Sequence, residues 1–215
     1  MKRLLVQVVR RAPWTVLAAL ALLGVALWWG AHRTPTSDDL VSRVGVSHDS
    51  LRAFEWRRIF TSALYTGGGG QFWLSLMMLV ACVGWAEWQL GTARSFLLFW
   101  SAHLVSLALT FAALAAVSKV MVHPVLETLR ASYGVGPSGG YYGCLGAMSI
   151  NHRYRWRVAG VIAAVLLFRL LLSSALAPDL GRLDDDLCHL IAFAFGLSMA
   201  RWLGRGGDRR AGRAA

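Results

Sequence analysis

Two side chains in this sequence have the types and the setting that acyl-transfer chemistry needs. Ser138 lies in the segment 133–143, in which five of eleven residues are glycine. His189 stands near the start of the last apolar run of the chain. A serine hydroxyl beside a neutral imidazole forms a nucleophile and its general base. Ser138 and His189 are therefore the candidate catalytic pair.

The elements that must carry this pair are strongly apolar. Of the 215 residues, 56% are hydrophobic and 15% are charged, whereas soluble domains carry about 25% charged residues. This composition excludes a soluble globular enzyme and predicts an all-α, polytopic membrane protein. Six apolar runs are the candidate spans: 13–30, 71–88, 95–118, 138–150, 158–177 and 187–203. The first run could instead be a signal-peptide core, but its 18 apolar residues with tryptophan at both ends favour an anchored helix.

The charges predict how such a bundle lies in the membrane. With six spans, both termini lie on one face, which carries a net charge of +12, while the opposite loops carry −1. The positive-inside rule places both termini in the cytoplasm, and the basic excess then contacts anionic lipid head groups. We expect an integral protein of a bacterial plasma membrane, with no nucleic acid as partner. A single membrane domain spans 13–203, flanked by a basic N-terminus, 1–12, and a basic tail, 204–215.

The outer loop, residues 31–70, contains a second helical pattern. Trp56, Ile59, Phe60, Ala63 and Leu64 recur at the spacing of one helix face, with arginines elsewhere on the wheel. This pattern predicts an amphipathic helix in the interface plane.

Chain lengths place the candidate pair at one membrane depth. Ser138 is 15 residues above Arg153, roughly 22 Å along a helix, and His189 is 12 residues above Arg201, roughly 18 Å. A helix from Ser138 to Asn151 covers roughly 20 Å of a hydrocarbon core about 30 Å thick. Its N-terminus therefore lies below the outer surface, where irregular backbone is tolerated only inside protein or beside water.

Structural roles are the alternative for the same residues. Gly136, Gly139, Gly143 and Gly146 also suit close helix packing, and we expect packing and a site together. Ser138 by itself suits a helix N-cap. A histidine in the middle of a span, such as His103, is better explained by a structural hydrogen bond.

These motifs resemble the rhomboid intramembrane serine proteases over roughly residues 55–202. The resemblance rests on Trp56-Arg57, on Glu87 through Gly91 to Arg94, on Gly136-Pro137-Ser138-Gly139, and on His189 followed seven residues later by Gly196. It implies a six-helix bundle with an interfacial first outer loop and a water-filled cavity that opens outward. It also implies a Ser–His dyad that cleaves transmembrane substrates near the outer face without metal or cofactor.

The resemblance assigns roles by position. Ser138 corresponds to the nucleophile, His189 to the base, and Tyr142 to an aromatic residue that packs against the histidine. Gly136, Gly139 and Gly196 support the dyad, and Trp56 and Arg57 brace the fold at the interface.

Three positions depart from the family pattern. The usual histidine and asparagine that donate to the oxyanion are replaced by Gln71 and Ser75, which still carry donors. The usual glycine after the histidine is Ala192, whose methyl is expected to separate the two site helices. Pro137 has no N–H, which leaves the Ser138 N–H as the main oxyanion donor.

The sequence thus favours an intramembrane serine endopeptidase whose partners are transmembrane protein substrates and membrane lipids. The altered oxyanion positions favour the alternative, an inactive rhomboid-like protein that binds transmembrane segments without cleaving them. Two charged residues within spans keep open roles. Arg169 can reach the interface, pair with an acidic group, line the cavity, or be buried with backbone carbonyls as its partners. Glu87 is expected to cap or pair locally, with Arg94 as candidate partner.

Overall fold

The computed structural model describes residues 10–120, 124–150, 154–175 and 181–211, and these residues form helices joined by short connections. The helices are α1 (Pro13–Trp29), α2 (Asp38–Val44), α3 (His48–Arg52), α4 (Arg57–Ser62), α5 (Gly70–Leu90), α6 (Thr92–Val120), α7 (Pro124–Ala131), α8 (Ser138–Ser149), α9 (Arg155–Ala175) and α10 (Gly181–Ala211). Helix α5 contains a π-helical turn at Leu79–Val83.

Each predicted apolar run coincides with a helix over the residues that the structure describes; positions 176 and 177 of the fifth run lie outside them. By length and composition, α5, α6 and α9 can cross a membrane, and α1 is a shorter apolar helix of 17 residues. The predicted limits of the last run were too narrow, because α10 begins six residues before Leu187 and continues to Ala211. Helical hydrogen bonding does not depend on hydropathy, so a helix continues past its apolar part until a breaker ends it.

Helices α8 and α10 touch through their backbones. A Cβ on Gly146 would lie 2.2 Å from the Phe193 carbonyl oxygen, and one on Gly196 would lie 2.0 Å from the Gly143 carbonyl oxygen. Only glycine permits such an approach, so the predicted small-residue packing is present. Ala192 is fully buried, yet Gly196 still lies against the Gly143 carbonyl, so the separation of these helices that was expected from Ala192 is not observed.

Helix α8 also packs tightly on α6. A Cβ on Gly139 would lie 2.7 Å from Ser106 Oγ, and one on Gly140 would lie 2.3 Å from the Phe99 ring. Gly139 therefore serves the contact between α8 and α6. Helix α8 is held on both sides, which makes it the centre of the bundle.

The outer loop is helical, as predicted, and Arg58 makes the contacts that hold its segments together. Its Nε pairs with Glu55 Oε2 at 2.5 Å, and Nη1 donates to the Gly45 carbonyl at 3.1 Å and to the Ser42 carbonyl. Trp56 and Arg57 are exposed, and the bracing role that the resemblance gave them at the interface stays a prediction. Neighbouring arginines on a helix point in different directions, and only the packing shows which one turns inward.

Within the part of the chain that the structure describes, Glu87 caps a distant helix and is not paired with Arg94. It is 1% exposed, and its carboxylate accepts hydrogen bonds from Trp14 N (3.0 Å), Thr15 N (2.8 Å) and Thr15 Oγ1 (2.7 Å). The first N–H groups of a helix lack partners within it and favour a negative charge. Glu87 thus ties α5 to the start of α1.

Removing this cap should destabilise the bundle. We expect Glu87→Ala to lower the free energy of unfolding by about 2–4 kcal/mol, because buried N–H groups at Trp14 and Thr15 lose their acceptor. Unfolding in detergent, followed by circular dichroism, measures the change. The control is Glu127→Ala on α7, where the glutamate is exposed and the effect should stay within about 0.5 kcal/mol. Equal stability of the two variants would contradict the capping role.

Candidate active site

The segment before Ser138 is pinned to the outer loop. Val46 and Gly134 exchange backbone hydrogen bonds of 3.0 and 2.9 Å, and Gly136 N donates to the Ser62 carbonyl at 2.8 Å. Gly136 has φ of 134°, a conformation that favours glycine. These contacts turn the chain sharply before α8 and bring its first residue to the cavity.

Ser138 is the first residue of α8. Pro137 occupies the N-cap position, and no side chain caps the helix. The N-cap role considered for Ser138 is therefore wrong, because the helix begins one residue too early for it. Proline suits this place because it needs no N–H partner. Ser138 Oγ is left available at the positive end of the helix dipole.

One cavity of about 530 Å³ contains both members of the candidate pair. Helices α5, α8, α9 and α10 all contribute to its wall. Its polar lining includes Gln71, Ser75, Ser138, Tyr142, Arg169 and His189. The structure thus brings together residues from four helices, among them Ser138 and His189, the two that the sequence placed at nearly the same depth. Within the described residues, Ser138 and His189 share this cavity without a direct hydrogen bond.

The His189 ring is buried and packs against an aromatic side chain of α8. The side chain is buried, and its ring lies 4.4 Å from the Tyr142 ring, centroid to centroid, at an interplanar angle of 34°. This is the aromatic contact that the resemblance implied for Tyr142. One turn of α8 separates Ser138 from Tyr142, so a single helix presents both the hydroxyl and the face on which the imidazole packs.

Arg169 both lines the cavity and pairs with a carboxylate, which decides between its open roles. Arg169 Nη2 lies 2.7 Å from Asp186 Oδ1, and Ser173 Oγ donates to Asp186 Oδ2 at 2.6 Å. Asp186 is 2% exposed, and its Oδ1 lies 3.8 Å from His189 Nδ1. Asp186 was not among the predicted site residues, although its position three residues before the histidine on one helix was the available signal.

The two oxyanion candidates on α5 differ in exposure. Ser75 is buried, whereas Gln71 is exposed and its amide oxygen turns towards Gly67, where a Cβ would approach it to 2.1 Å. Both side chains line the cavity with Ser138. Of the glycines predicted to support the dyad, Gly136 lines the cavity, and Gly139 and Gly196 act through helix packing.

His103 has the structural role expected of it. Its Nε2 lies 3.1 Å from the Ile59 carbonyl oxygen, and its ring stacks on Phe99 at a centroid distance of 6.5 Å. This contact ties α6 to the outer-loop helix α4. Among the described residues, no group of three or more His, Cys, Asp or Glu side chains is arranged to hold a metal ion.

In a comparison with known protein families, the Rhomboid domain matches residues 53–206. This range covers most of the chain and includes α4 to α9 and most of α10, so it contains every residue named in the cavity wall. No curated protein and no solved structure matches the chain. A rhomboid domain implies a polytopic membrane fold, in agreement with the long apolar helices. The chain belongs to the rhomboid family.

Proposed function

We propose that this chain is an intramembrane serine endopeptidase with Ser138 as nucleophile and His189 as general base. The observation that carries the proposal is the cavity lined by both side chains, although 51 residues separate them in the chain. Family membership makes such an activity the expected one. The pair needs no metal or cofactor for this reaction.

The reaction proceeds through an acyl-enzyme. His189 takes the proton of the Ser138 hydroxyl while Oγ bonds to the scissile carbonyl carbon. The C–N bond then breaks, and His189 returns the proton to the leaving amine. A water molecule, deprotonated by His189, hydrolyses the ester and releases Ser138. Proton transfer from and to Ser138 requires the imidazole to reach the hydroxyl. The Tyr142 ring restricts the motion of the imidazole.

The oxyanion is stabilised at the start of α8. The Ser138 N–H points out of the helix end, where the dipole favours negative charge. Gln71 and Ser75 offer further donors from α5. A missing oxyanion donor costs ~10²–10³ in rate, so these replacements fit a slow enzyme.

The same proposal includes the placement in the membrane. Six helices, α1, α5, α6, α8, α9 and α10, span the bilayer of a bacterial plasma membrane with both termini in the cytoplasm. The outer loop lies at the interface, and the cavity opens to the outer face. Substrates are transmembrane proteins cleaved near that face, and lipids surround the remaining helix surfaces.

A fluorophosphonate probe tests the nucleophile directly. We expect the detergent-purified protein to be labelled and the label to map to the peptide containing Ser138. Denatured protein serves as the control, because an unactivated serine does not react. Absence of label from folded protein, or label on another residue, would refute the assignment.

A second candidate function is binding of transmembrane segments without cleavage. It is favoured by Gln71 and Ser75 at the positions where the family usually has histidine and asparagine. In that case, wild type and Ser138→Ala would co-purify with the same membrane proteins, and neither would produce fragments. A fragment seen only with wild type would exclude this alternative.

A further inference from the structure

A buried carboxylate lies next to the proposed general base. Asp186 stands three residues before His189 on α10, so both side chains lie on one helix face. The distance from Asp186 Oδ1 to His189 Nδ1 is 3.8 Å, longer than a hydrogen bond. Both atoms are buried. Oδ1 is already paired with Arg169 Nη2 at 2.7 Å, whereas His189 Nδ1 has no hydrogen-bond partner among the described residues.

The His189 nitrogen is unsatisfied as it stands. A buried polar atom without a hydrogen bond is destabilising, and an Nδ1–H that faces the carboxylate gains an acceptor there. A rotation of either side chain that shortens the distance by less than about 1 Å brings them to bonding range. Closing the gap is therefore favourable.

Helix α9 holds the carboxylate in this position. Ser173 Oγ donates to Oδ2 at 2.6 Å, which directs Oδ1 towards His189 and Arg169. Arg169 Nη2 contacts the same Oδ1 at 2.7 Å and offsets the cost of burying the negative charge. Tyr142 covers one face of the His189 ring. The imidazole is thus confined on its face by α8 and at its Nδ1 edge by Asp186.

We propose that Asp186 is a positioning residue for His189, held by Arg169 and Ser173. This inference rests on the proposed function. Asp186 accepts the Nδ1–H of His189, which keeps the proton on that nitrogen and leaves Nε2 free to take the Ser138 proton. Asp186 keeps its negative charge throughout and stabilises the imidazolium as it forms. The site thereby works as three residues, although the family implies a dyad.

Labelling kinetics with the fluorophosphonate probe test the role in catalysis. We expect Asp186→Asn to slow the first-order labelling step about 10²-fold while the apparent affinity for the probe stays within about twofold. Asp184→Asn is the matched control, because this aspartate bonds Ser132 outside the cavity. Its labelling rate should stay near that of wild type. An Asp186→Asn rate equal to that of Asp184→Asn would overturn the proposal.

A double variant separates positioning from simple charge balance. Asp186→Asn leaves the Arg169 charge unpaired, and that charge alone disfavours an imidazolium nearby. Arg169→Gln with Asp186→Asn removes both charges. We expect the double variant to remain slow, because Nδ1 still lacks its acceptor. Recovery of the wild-type rate would show that Asp186 only neutralises Arg169.

NMR of isotopically labelled histidine nitrogens tests the contact without any activity. The His189 signals are assigned by their loss in His189→Gln. In folded wild type we expect the neutral His189 ring to carry its proton on Nδ1. In Asp186→Asn we expect the proton on Nε2. A proton on Nε2 in wild type would overturn the inference even if a variant fails to fold. If wild type carries the proton on Nδ1 but does not react with the fluorophosphonate probe, the protease function is refuted and the Asp186–His189 contact stands.

Discussion

His189→Ala should reduce cleavage of a transmembrane substrate by roughly 10²–10⁴-fold, and Ser138→Ala should reduce it to background. Without the imidazole, nothing in the pair takes the hydroxyl proton or returns it to the leaving amine. Without the hydroxyl, no acyl-enzyme forms. Fragment formation by purified protein in liposomes measures both variants, and circular dichroism confirms that each remains helical.

His103→Ala is the control for the loss of a buried histidine. His103 bonds the Ile59 carbonyl and has no place in the proposed reaction, so its loss should lower stability while folded molecules still cleave. If His103→Ala lost as much activity per folded molecule as His189→Ala, the assignment of the base would be wrong. Cleavage by pure Ser138→Ala would likewise exclude Ser138 as nucleophile.

Gly196→Ala should destabilise the bundle by about 1–3 kcal/mol and slow labelling of Ser138. The added Cβ would lie 2.0 Å from the Gly143 carbonyl oxygen, which belongs to backbone and cannot turn aside. Helices α8 and α10 must then separate, which moves Ser138 away from His189. Thermal unfolding in detergent and the labelling rate measure the two effects.

Gly160→Ala on α9 is the matched control for this substitution. Its Cβ would meet nothing within 4 Å, and alanine is the better helix former by about 0.5–1 kcal/mol. We therefore expect unchanged or higher stability with the labelling rate preserved. A Gly196→Ala protein as stable and reactive as Gly160→Ala would contradict the role of the α8–α10 contact.

The helices themselves were predictable from the sequence. An apolar run long enough for a membrane span is a local property, and the glycines of α8 could be recognised as packing residues from their spacing. Ser138 at the helix start and His189 at the same depth followed from counting residues along helices. The Tyr142 contact followed from the family resemblance.

The partners of the charged residues were not predictable. The bonds of Glu87 to Trp14 and Thr15 join residues 73 and 72 positions apart, so no local spacing indicates them. The sequence left several roles open for Arg169. The structure pairs it with Asp186, because α9 lies beside that residue. Arg58 was not separable from Arg57 by pattern, since both are arginines on one short helix.

The sequence by itself determined that this protein is a helical membrane protein of the rhomboid family and where its long apolar helices lie, and it gave Ser138 and His189 as the candidate pair. These properties depend on the hydropathy and residue types of single segments. Only the tertiary structure decided that four helices enclose one cavity around Ser138 and His189, and that a carboxylate held from α9 stands behind the histidine. The physical reason is that buried charges take whichever partner the packing of distant helices brings within reach.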